Sequence, residues 1–311
     1  MSVAASRARP LKVGVQLPEI ERVAPWPDLA RMARTAEALG YDSLWVGDHL
    51  LYRHPEEPAK GPWEAWTLMA ALAAITERVE IGPLVACTSF HNPAMIAKKA
   101  AALDEVSQGR LILGLGAGWN EIEYAAFGFP YDHRVSRFEE AFTIIRRLLR
   151  GEAVDFAGTY YAVDNCLIVP PGPRSGGPPL MVGSGSPRML EITLPHVQSW
   201  NAWYDWFDNR PEGLVPWLEK LDDACRKVGR DPASLERTCA LYVGLSGGMG
   251  RRTGARRHMQ IQPLQGTPQE MAAVLRQYAD LGVGHVQLVM DPITTEAIEE
   301  FAPVLEELDR G

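Results

Sequence analysis

The feature that most constrains the fold is an alternation of short β-rich runs with helical patterns along nearly the whole chain. Several of the runs are apolar without alternation, which is typical of strands buried on both faces of a parallel sheet. We predict strands near Lys12–Leu17, Ser43–Gly47, Val79–Ala86, Leu111–Leu115, Leu180–Gly183, Val197–Asn201, Thr238–Leu245 and His285–Val289. Helices are predicted near Pro27–Leu39, Glu64–Ile75, Pro93–Ser107, Val135–Arg150, Pro211–Val228, Pro268–Leu281 and Thr294–Leu308.

Eight βα units in a chain of 311 residues predict an α/β fold, a TIM (β/α)8 barrel with insertion loops. The rival is an open doubly wound sheet, which carries a glycine fingerprint after its first strand. The first strand, "VGVQLPE", has no such fingerprint. The later segment "GRLILGLGAGWNE" fails the G-x-G-x-x-G spacing, because Trp119 and Glu121 stand where glycine is required. No linker divides the chain, so one domain over residues 1–311 is expected.

Composition excludes several classes of protein. The formal net charge of −8 argues against a nucleic-acid partner, which requires a basic face. The four cysteines form no C-x-x-C pair, and no histidine has the spacing of a metal motif, so neither disulfides nor a metal site are predicted. The N-terminus lacks the apolar core of a signal peptide, and the apolar run Leu68–Ile75 is too short to span a bilayer. We expect a cytoplasmic protein without a membrane partner.

Three segments interrupt the barrel pattern. His54–Gly61 reads as a polar loop, and Val154–Val169 reads as a hairpin that turns at Ala157-Gly158. Gly247–Gly266 is glycine-rich and basic. Long loops within a compact barrel are usually functional, so these segments are candidates for lids or specificity loops.

Barrel sites lie at the carboxyl ends of the strands, so the residues there are the candidates for chemistry. Asp48 and His49 follow the second strand, and a histidine beside an acid is suited to acid–base catalysis. A single strand-end histidine is more often a structural hydrogen-bonding group, and neighbours on a strand point to opposite faces. After the fifth strand, Gly183, Ser184, Gly185 and Ser186 precede a helix that begins at Pro187. They fit an anion-binding site formed by backbone N–H groups at the start of the helix, or a tight turn that simply needs glycine.

Aromatic residues also gather near the predicted strand ends. Trp119 follows the fourth strand and Trp200 lies at the end of the sixth. Aromatic side chains can form the wall of a site for a planar ligand, although packing of the barrel ends is the commoner role of a single one. We predict that Trp119, Asn120 and Trp200 line a substrate pocket.

Several segments together resemble the bacterial luciferase-like family of flavin- and deazaflavin-dependent oxidoreductases. They are "VGVQLP", "YDSLWVGDHL", "RVSRFEEAFTIIRRLLRG", "PLMVGSGSPRML", "GTPQEMAAVLRQYADLGVGHVQL" and the long block "IGPLVACTSFHNPAMIAKKAAALDEVSQGRLILGLGAGWNEIEYAAFG". They cover most of the chain in the order of the family. The resemblance implies a TIM barrel, a homodimer and a small organic substrate.

The resemblance also implies roles for residues at the strand ends. Gly116, Ala117 and Gly118 would lie against the ring and ribityl chain of the cofactor, whose phosphate would occupy Gly183–Ser186. His49 would lie beside the ring and handle a proton during hydride transfer. A non-proline cis peptide is implied near Pro83-Leu84, behind the ring. We count Gln16, at the end of the first strand, among the cofactor contacts as well.

The cofactor implied by the "GDH" and "GAGWNEIEY" segments is the deazaflavin coenzyme F420, with FMN as the alternative. The basic run Arg251, Arg252, Arg256 and Arg257 would contact the anionic tail of F420, or would form a solvated loop. Some sugar-phosphate dehydrogenases of the family carry a catalytic glutamate just after the strand-four glycines, where this chain has Trp119-Asn120. We therefore expect a different substrate.

Three functions remain open at this stage. The first is hydride transfer between a deazaflavin and an organic substrate. The second is FMN-dependent monooxygenation with a flavin reductase as partner. The third is a non-catalytic flavin-binding protein.

Overall fold

The computed structural model describes residues 9–54, 57–250 and 261–310. Its strands are β1 (Lys12–Gln16), β2 (Ser43–Val46), β3 (Tyr52–His54), β4 (Glu57–Lys60), β5 (Glu80–Pro83), β6 (Ala86–Cys87), β7 (Leu113–Gly116), β8 (Val154–Ala157), β9 (Ala162–Cys166), β10 (Leu180–Val182), β11 (Ser199–Ala202), β12 (Glu236–Gly244) and β13 (Val283–Asp291). Its α-helices are α1 (Trp26–Leu39), α2 (Ala65–Ile75), α3 (Pro93–Val106), α4 (Glu121–Phe127), α5 (Arg134–Leu149), α6 (Pro187–Thr193), α7 (Pro211–Lys227), α8 (Pro268–Asp280) and α9 (Thr295–Asp309).

Parallel strands form a barrel in the order β5-β2-β1-β13-β12-β11-β10-β7-β6. β5 and β6 are two halves of the third predicted strand, which is interrupted at residues 84 and 85. The ring closes because β6 pairs with β7 while Ile81 of β5 bridges Leu111, just before β7. The predicted TIM barrel is confirmed, and the open doubly wound sheet is excluded.

Burial explains why the strands read as continuous apolar runs. Every residue of β2, β7 and β11 is buried, since one face of each strand fills the barrel and the other packs beneath the helices. The predicted caps hold the helix starts. Asn92 accepts the N–H groups of Ala94 and Met95 at the start of α3, and Thr267 and Glu270 form a capping box on α8. No helix within the described ranges is both long and apolar enough to cross a bilayer.

The insertions agree only in part with the sequence analysis. The Val154–Val169 hairpin is confirmed, since β8 and β9 pair antiparallel across a turn at residues 158–161. The polar loop expected over 54–61 is wrong, because β3 and β4 form an antiparallel pair there, with Tyr52 opposite Lys60. The basic run Arg251, Arg252, Arg256 and Arg257 lies outside the described residues.

One short helix escaped the sequence analysis. α4 has seven residues, begins directly after Asn120 and ends at Gly128, whose φ of 77° is left-handed. Two turns of helix give too little periodicity to stand out from a loop. α4 matters because it places Glu123 and Tyr124 in the interior of the protein.

Candidate active site

A cavity of about 420 Å³ opens at the carboxyl ends of the barrel strands, and we call it the front cavity. Its wall includes Asp48 and His49 after β2, the interruption at Leu84-Val85, Ala117–Trp119 after β7 and Gly183–Ser186 after β10. Four of the strand ends singled out in the sequence therefore meet at one place, where a TIM barrel carries its active site.

The glycines around the front cavity make room for a bulge in the third strand. The peptide between Leu84 and Val85 is cis, one residue beyond the position that the resemblance implied. A Cβ on Gly114 would lie 2.3 Å from the carbonyl oxygen of Pro83, and one on Gly116 would lie 2.8 Å from Cγ2 of Val85. A Cβ on Gly183 would lie 3.2 Å from Cγ1 of Val85. β7 and β10 need glycine there to let the bulge project into the barrel.

His49 lies between two carboxylates. Its Nδ1–H donates to Oε1 of Glu123 at 2.8 Å, and its Nε2 lies 3.8 Å from Oε1 of Glu19. Glu123 has no exposed side-chain surface, and its second oxygen accepts the backbone N–H groups of Leu50 and Leu51. These bonds fix the imidazole ring at the cavity wall with Nδ1 turned towards Glu123.

The carboxylates control where the proton lies. Burial alone would lower the pKa of His49, but the charge of Glu19 and the hydrogen bond and charge of Glu123 outweigh it, so the pKa is raised above its ordinary value. Burial alone would raise the pKa of Glu123, but the hydrogen bond and charge of His49 lower it. The pairing with His49 prevails, so the pKa of Glu123 lies below its ordinary value. Both shifts favour a protonated His49 paired with the Glu123 carboxylate.

Asp48 does not orient His49, contrary to the pairing that the sequence suggested. Oδ2 of Asp48 accepts the backbone N–H of Cys87 at 2.8 Å and lies 3.2 Å from Nε2 of His91. Adjacent residues at a strand end point in different directions, and this geometry separates their roles. Asp48 instead ties the end of β2 to the third strand beyond the bulge.

The predicted site residues fall into two groups. Those that line the front cavity are Asp48, His49, Leu84, Ala117, Gly118, Trp119, Gly183, Ser184, Gly185 and Ser186. Five others, Gln16, Pro83, Gly116, Asn120 and Trp200, are buried near the wall without lining it. Among these, Gln16 donates to Oε2 of Glu19 at 2.9 Å and Trp200 donates to the carbonyl of Ser184 at 2.8 Å. They support residues that do face the cavity.

The two glutamates that flank His49 are not among the site residues predicted from the sequence. Glu19 lies in the segment "VGVQLPE" and Glu123 in the segment "GAGWNEIEY", both quoted for other reasons. The spacing Asn120–Glu123 matches a capping box, which would have assigned Glu123 to the start of a helix. In the structure Asn120 donates to the carbonyl of Leu51 at 3.1 Å, while Glu123 is turned to His49. Glu121, the first residue of α4, is exposed.

Aromatic rings form the outer wall beside His49. The ring centroids of Tyr52 and Trp119 lie 4.8 and 5.6 Å from that of His49, and the hydroxyl of Tyr52 donates to Oε1 of Glu19 at 2.5 Å. Trp119 keeps 41% of its surface exposed. Tyr52 and Trp119 therefore place flat aromatic rings beside His49, as suits contact with a carbon-rich ligand.

Asn201 presents a fixed hydrogen-bond acceptor on the inner wall. The hydroxyl of Thr238 donates to the carbonyl of Trp200 at 3.1 Å and therefore accepts from Nδ2 of Asn201 at 2.8 Å. The other amide hydrogen of Asn201 goes to Oε1 of Gln287 at 2.6 Å. Both donors are used, so the amide oxygen is the group that Asn201 offers to the front cavity it lines.

The family model described as luciferase-like monooxygenase matches residues 10–248. A phthiodiolone/phenolphthiodiolone dimycocerosates ketoreductase of Mycobacterium tuberculosis is 32% identical over 234 residues, which are 70% of this chain and 60% of the relative. An F420-dependent glucose-6-phosphate dehydrogenase of Amycolatopsis mediterranei is 39% identical over 181 residues, 54% of this chain and 53% of the relative.

A solved structure supports the fold over nearly the whole chain. An F420-dependent secondary alcohol dehydrogenase, in complex with an F420-acetone adduct, superimposes with a TM-score of 0.78 at 20% identity. The superposition covers 96% of this chain and 99% of that structure. With a family model matching residues 10–248 and a barrel that places the matched motifs around one cavity, the chain belongs to the luciferase-like monooxygenase family.

Proposed function

We propose that this protein is an F420-dependent oxidoreductase that moves a hydride between the deazaflavin and a carbonyl or alcohol carbon of a small organic substrate. The observation that carries the proposal is His49, held between Glu19 and Glu123 on the wall of the front cavity. Support comes from relatives and a structural neighbour whose names include F420-dependent dehydrogenases and a ketoreductase.

The wall of the front cavity fits a deazaflavin. Leu84 and Val85 project from the bulge as an apolar surface, and the missing side chains at Gly116 and Gly183 allow that projection. We assign the ring to this surface and the phosphate to Ser184–Ser186, whose hydroxyl and backbone groups line the same cavity. When bound, the deazaflavin supplies or accepts the hydride.

His49 holds the proton that accompanies the hydride. Nδ1–H is committed to Glu123, so Nε2 is the atom that can give a proton to a carbonyl oxygen or take one from an alcohol. Oε1 of Glu19, 3.8 Å from Nε2, stabilises the positive charge whenever His49 is protonated. A proton donor with a raised pKa suits ketone reduction at neutral pH, because the donor is then charged before the hydride moves.

We propose that the substrate is not a sugar phosphate. Of the described residues that line the front cavity, Arg134 is the one with a permanent positive charge. It donates to the carbonyl of Gly118 at 2.8 Å, and its guanidinium carbon lies 4.2 Å from the ring centroid of Tyr131. Trp119 and Tyr52 surround His49 with rings rather than with phosphate-binding groups.

The cytoplasmic location and the homodimer that the sequence suggested also stay predictions.

The first test is a titration of the apo protein with oxidised F420 and, in parallel, with FMN. We expect F420 to bind at least ten-fold more tightly. A preference for FMN, with oxygen consumed when reduced FMN and substrate are supplied, would replace the proposal by a monooxygenase that needs a reductase.

The second test replaces His49. With reduced F420 and a panel of apolar ketones, His49→Ala should lower kcat by about 10²–10⁴-fold, since it removes the proton donor, and change the Kd for F420 only a few-fold. His133→Ala, at an exposed histidine, is the matched control. Tight F420 binding with no turnover of any ketone or alcohol, in wild type and variants alike, would indicate a flavin-binding protein without catalysis.

A further inference from the structure

A second cavity, of about 580 Å³, lies at the opposite end of the barrel from the front cavity. We call it the rear cavity. Its wall includes Ser175–Pro179 and Leu180 at the start of β10, whereas Gly183–Ser186 beyond the end of β10 face the front cavity. The carboxyl end of α5 and His196 after α6 complete the wall.

The rear cavity is positively charged although the chain as a whole is acidic. Arg146, Arg150 and Arg174 line it, and its described wall contains no Asp or Glu. Arg174 is already neutralised, because its Nε donates to Oδ2 of buried Asp104 at 2.9 Å. Arg146 and Arg150 form no ion pair with any residue of the described ranges, and the buried Nε of Arg146 has no hydrogen-bond partner there.

The two unpaired arginines repel each other. They are four residues apart, so they lie on the same face at the end of α5. Burial, and then the neighbouring Arg150, lower the pKa of Arg146 below its ordinary value. The pKa of His196 is also lowered, first by burial and then by Arg146 and Arg150. The pKa shifts of Arg146 and His196 thus both reflect, after burial, the positive charge of neighbouring arginines, which Glu152 offsets only in part at Arg146.

The rear cavity also contains neutral donors. Oε1 of Gln198 accepts the backbone N–H of Leu180 at 2.7 Å, which leaves the NH₂ of Gln198 available. Ser175 contributes a hydroxyl. A pocket with guanidinium, amide and hydroxyl donors and no carboxylate matches a ligand that only accepts hydrogen bonds and carries negative charge.

We propose that the rear cavity binds a phosphate oxyanion, either inorganic phosphate or a phosphate monoester, between Arg146 and Arg150. The planar guanidinium groups can each contact two oxygens of such an anion. Binding relieves the repulsion within α5 and gives the buried Nε of Arg146 an acceptor. The ligand lies at the far end of β10 from His49, so this site is independent of the proposed hydride transfer.

The test uses the full chain in chloride buffer, titrated by calorimetry with inorganic phosphate and, separately, with glycerol phosphate. Saturable binding of either is expected, and the tighter of the two identifies free phosphate or a monoester as the source. The double variant Arg146→Gln/Arg150→Gln should weaken the Kd at least ten-fold. Arg226→Gln/Arg310→Gln, which removes two exposed positive charges elsewhere, should leave it unchanged.

A second readout separates the rear cavity from any anion site in the front cavity. The bound anion should raise the pKa of His196, because it offsets the two arginines, and the His196 ring signals in NMR report this shift directly. If the double variant does not fold, Arg150→Gln alone serves, since Arg150 is exposed. No saturable binding, an unchanged Kd in the folded variant, or a fixed His196 pKa would overturn the proposal.

Discussion

At the residue scale, the charge of His49 on the wall of the front cavity is set mainly by neighbours distant in sequence. Glu123 is 74 residues from His49 along the chain, yet its carboxylate fixes the direction and the protonation of the imidazole ring. Asp48, the immediate neighbour of His49, serves the backbone of Cys87 instead. Proximity in sequence was therefore a poor guide to which acid holds the histidine ring, although the charge of Asp48 also helps to raise the pKa of His49.

Removal of the Glu123 charge should move the pH profile. Glu123 raises the pKa of His49, so Glu123→Gln should lower that pKa, and the proposed ketone reduction should lose rate from a lower pH than in wild type. The amide oxygen of Gln can still accept the Leu50 N–H, which limits the structural change. NMR titration of His49 and the pH dependence of kcat measure the shift. An unchanged pKa of His49 would show that Glu123 serves only to hold the backbone of Leu50 and Leu51 after β2.

The same pair should leave a signature in stability. The folded pKa of His49 lies above its unfolded value of 6.5, so its contribution is fully present below pH 6.5 and is lost as pH rises through the folded pKa. We expect the free energies of unfolding of wild type and Glu123→Gln, measured in urea on both sides of that pH range, to converge at high pH. A difference in unfolding free energy between the two proteins that stays constant with pH would contradict the charged pairing of His49 with Glu123.

At the element scale, the bulge between β5 and β6 and the glycines opposite it act together. The glycines stand out in the sequence, and the family resemblance implies a cis peptide within one residue of the one observed. The resemblance also implies that Gly116 contacts the cofactor, whereas in the structure Gly116 accommodates Val85 and only its neighbours Ala117 and Gly118 reach the cavity. A glycine pattern does not reveal which partner comes close, because a bulge and a ligand both need the same missing side chain.

This coupling predicts a specific rescue. Gly116→Ala should cost about 1–3 kcal/mol through overpacking against Val85, and it should weaken F420 binding because Val85 lines the cavity. Val85→Ala in the same chain removes the clashing methyl groups, so the double variant should be more stable than the sum of the single variants predicts. Urea midpoints and F420 titrations of all four proteins test this. If the stability losses of the two single variants simply add in the double variant, Gly116 and Val85 are not coupled and the explanation is wrong.

At the scale of the whole molecule, long-range ion pairs connect the helices to the barrel. Asp104 of α3 is fully buried and accepts from Arg174 in the segment before β10. Arg174 also donates to the carbonyl of Leu111, just before β7. This pair joins three parts of the fold at the end of the barrel opposite His49, where residues contribute to stability rather than to chemistry.

Asp104→Ala should therefore destabilise the protein without changing its chemistry. We expect a loss of about 3 kcal/mol, the low end for a broken buried pair, because Arg174 keeps 30% of its side chain exposed. Asp223→Ala, which breaks an exposed pair with Arg226, should cost about 0–1 kcal/mol. Urea unfolding measures both, and kcat per folded molecule should match wild type. Equal losses in the two variants would refute the role of burial.

The sequence by itself determined the barrel, the order of its barrel strands, and the strand ends where the candidate site lies. Those features depend on local periodicity, on caps such as Asn92 and Thr267, and on a topology in which all strands point one way. Only the tertiary structure decided which side chains meet. The rotation of the short helix α4 turns Glu123 towards His49 and Glu121 to solvent, and no local pattern encodes that choice. It follows from how α4 packs against the chain after β2, which is a long-range contact.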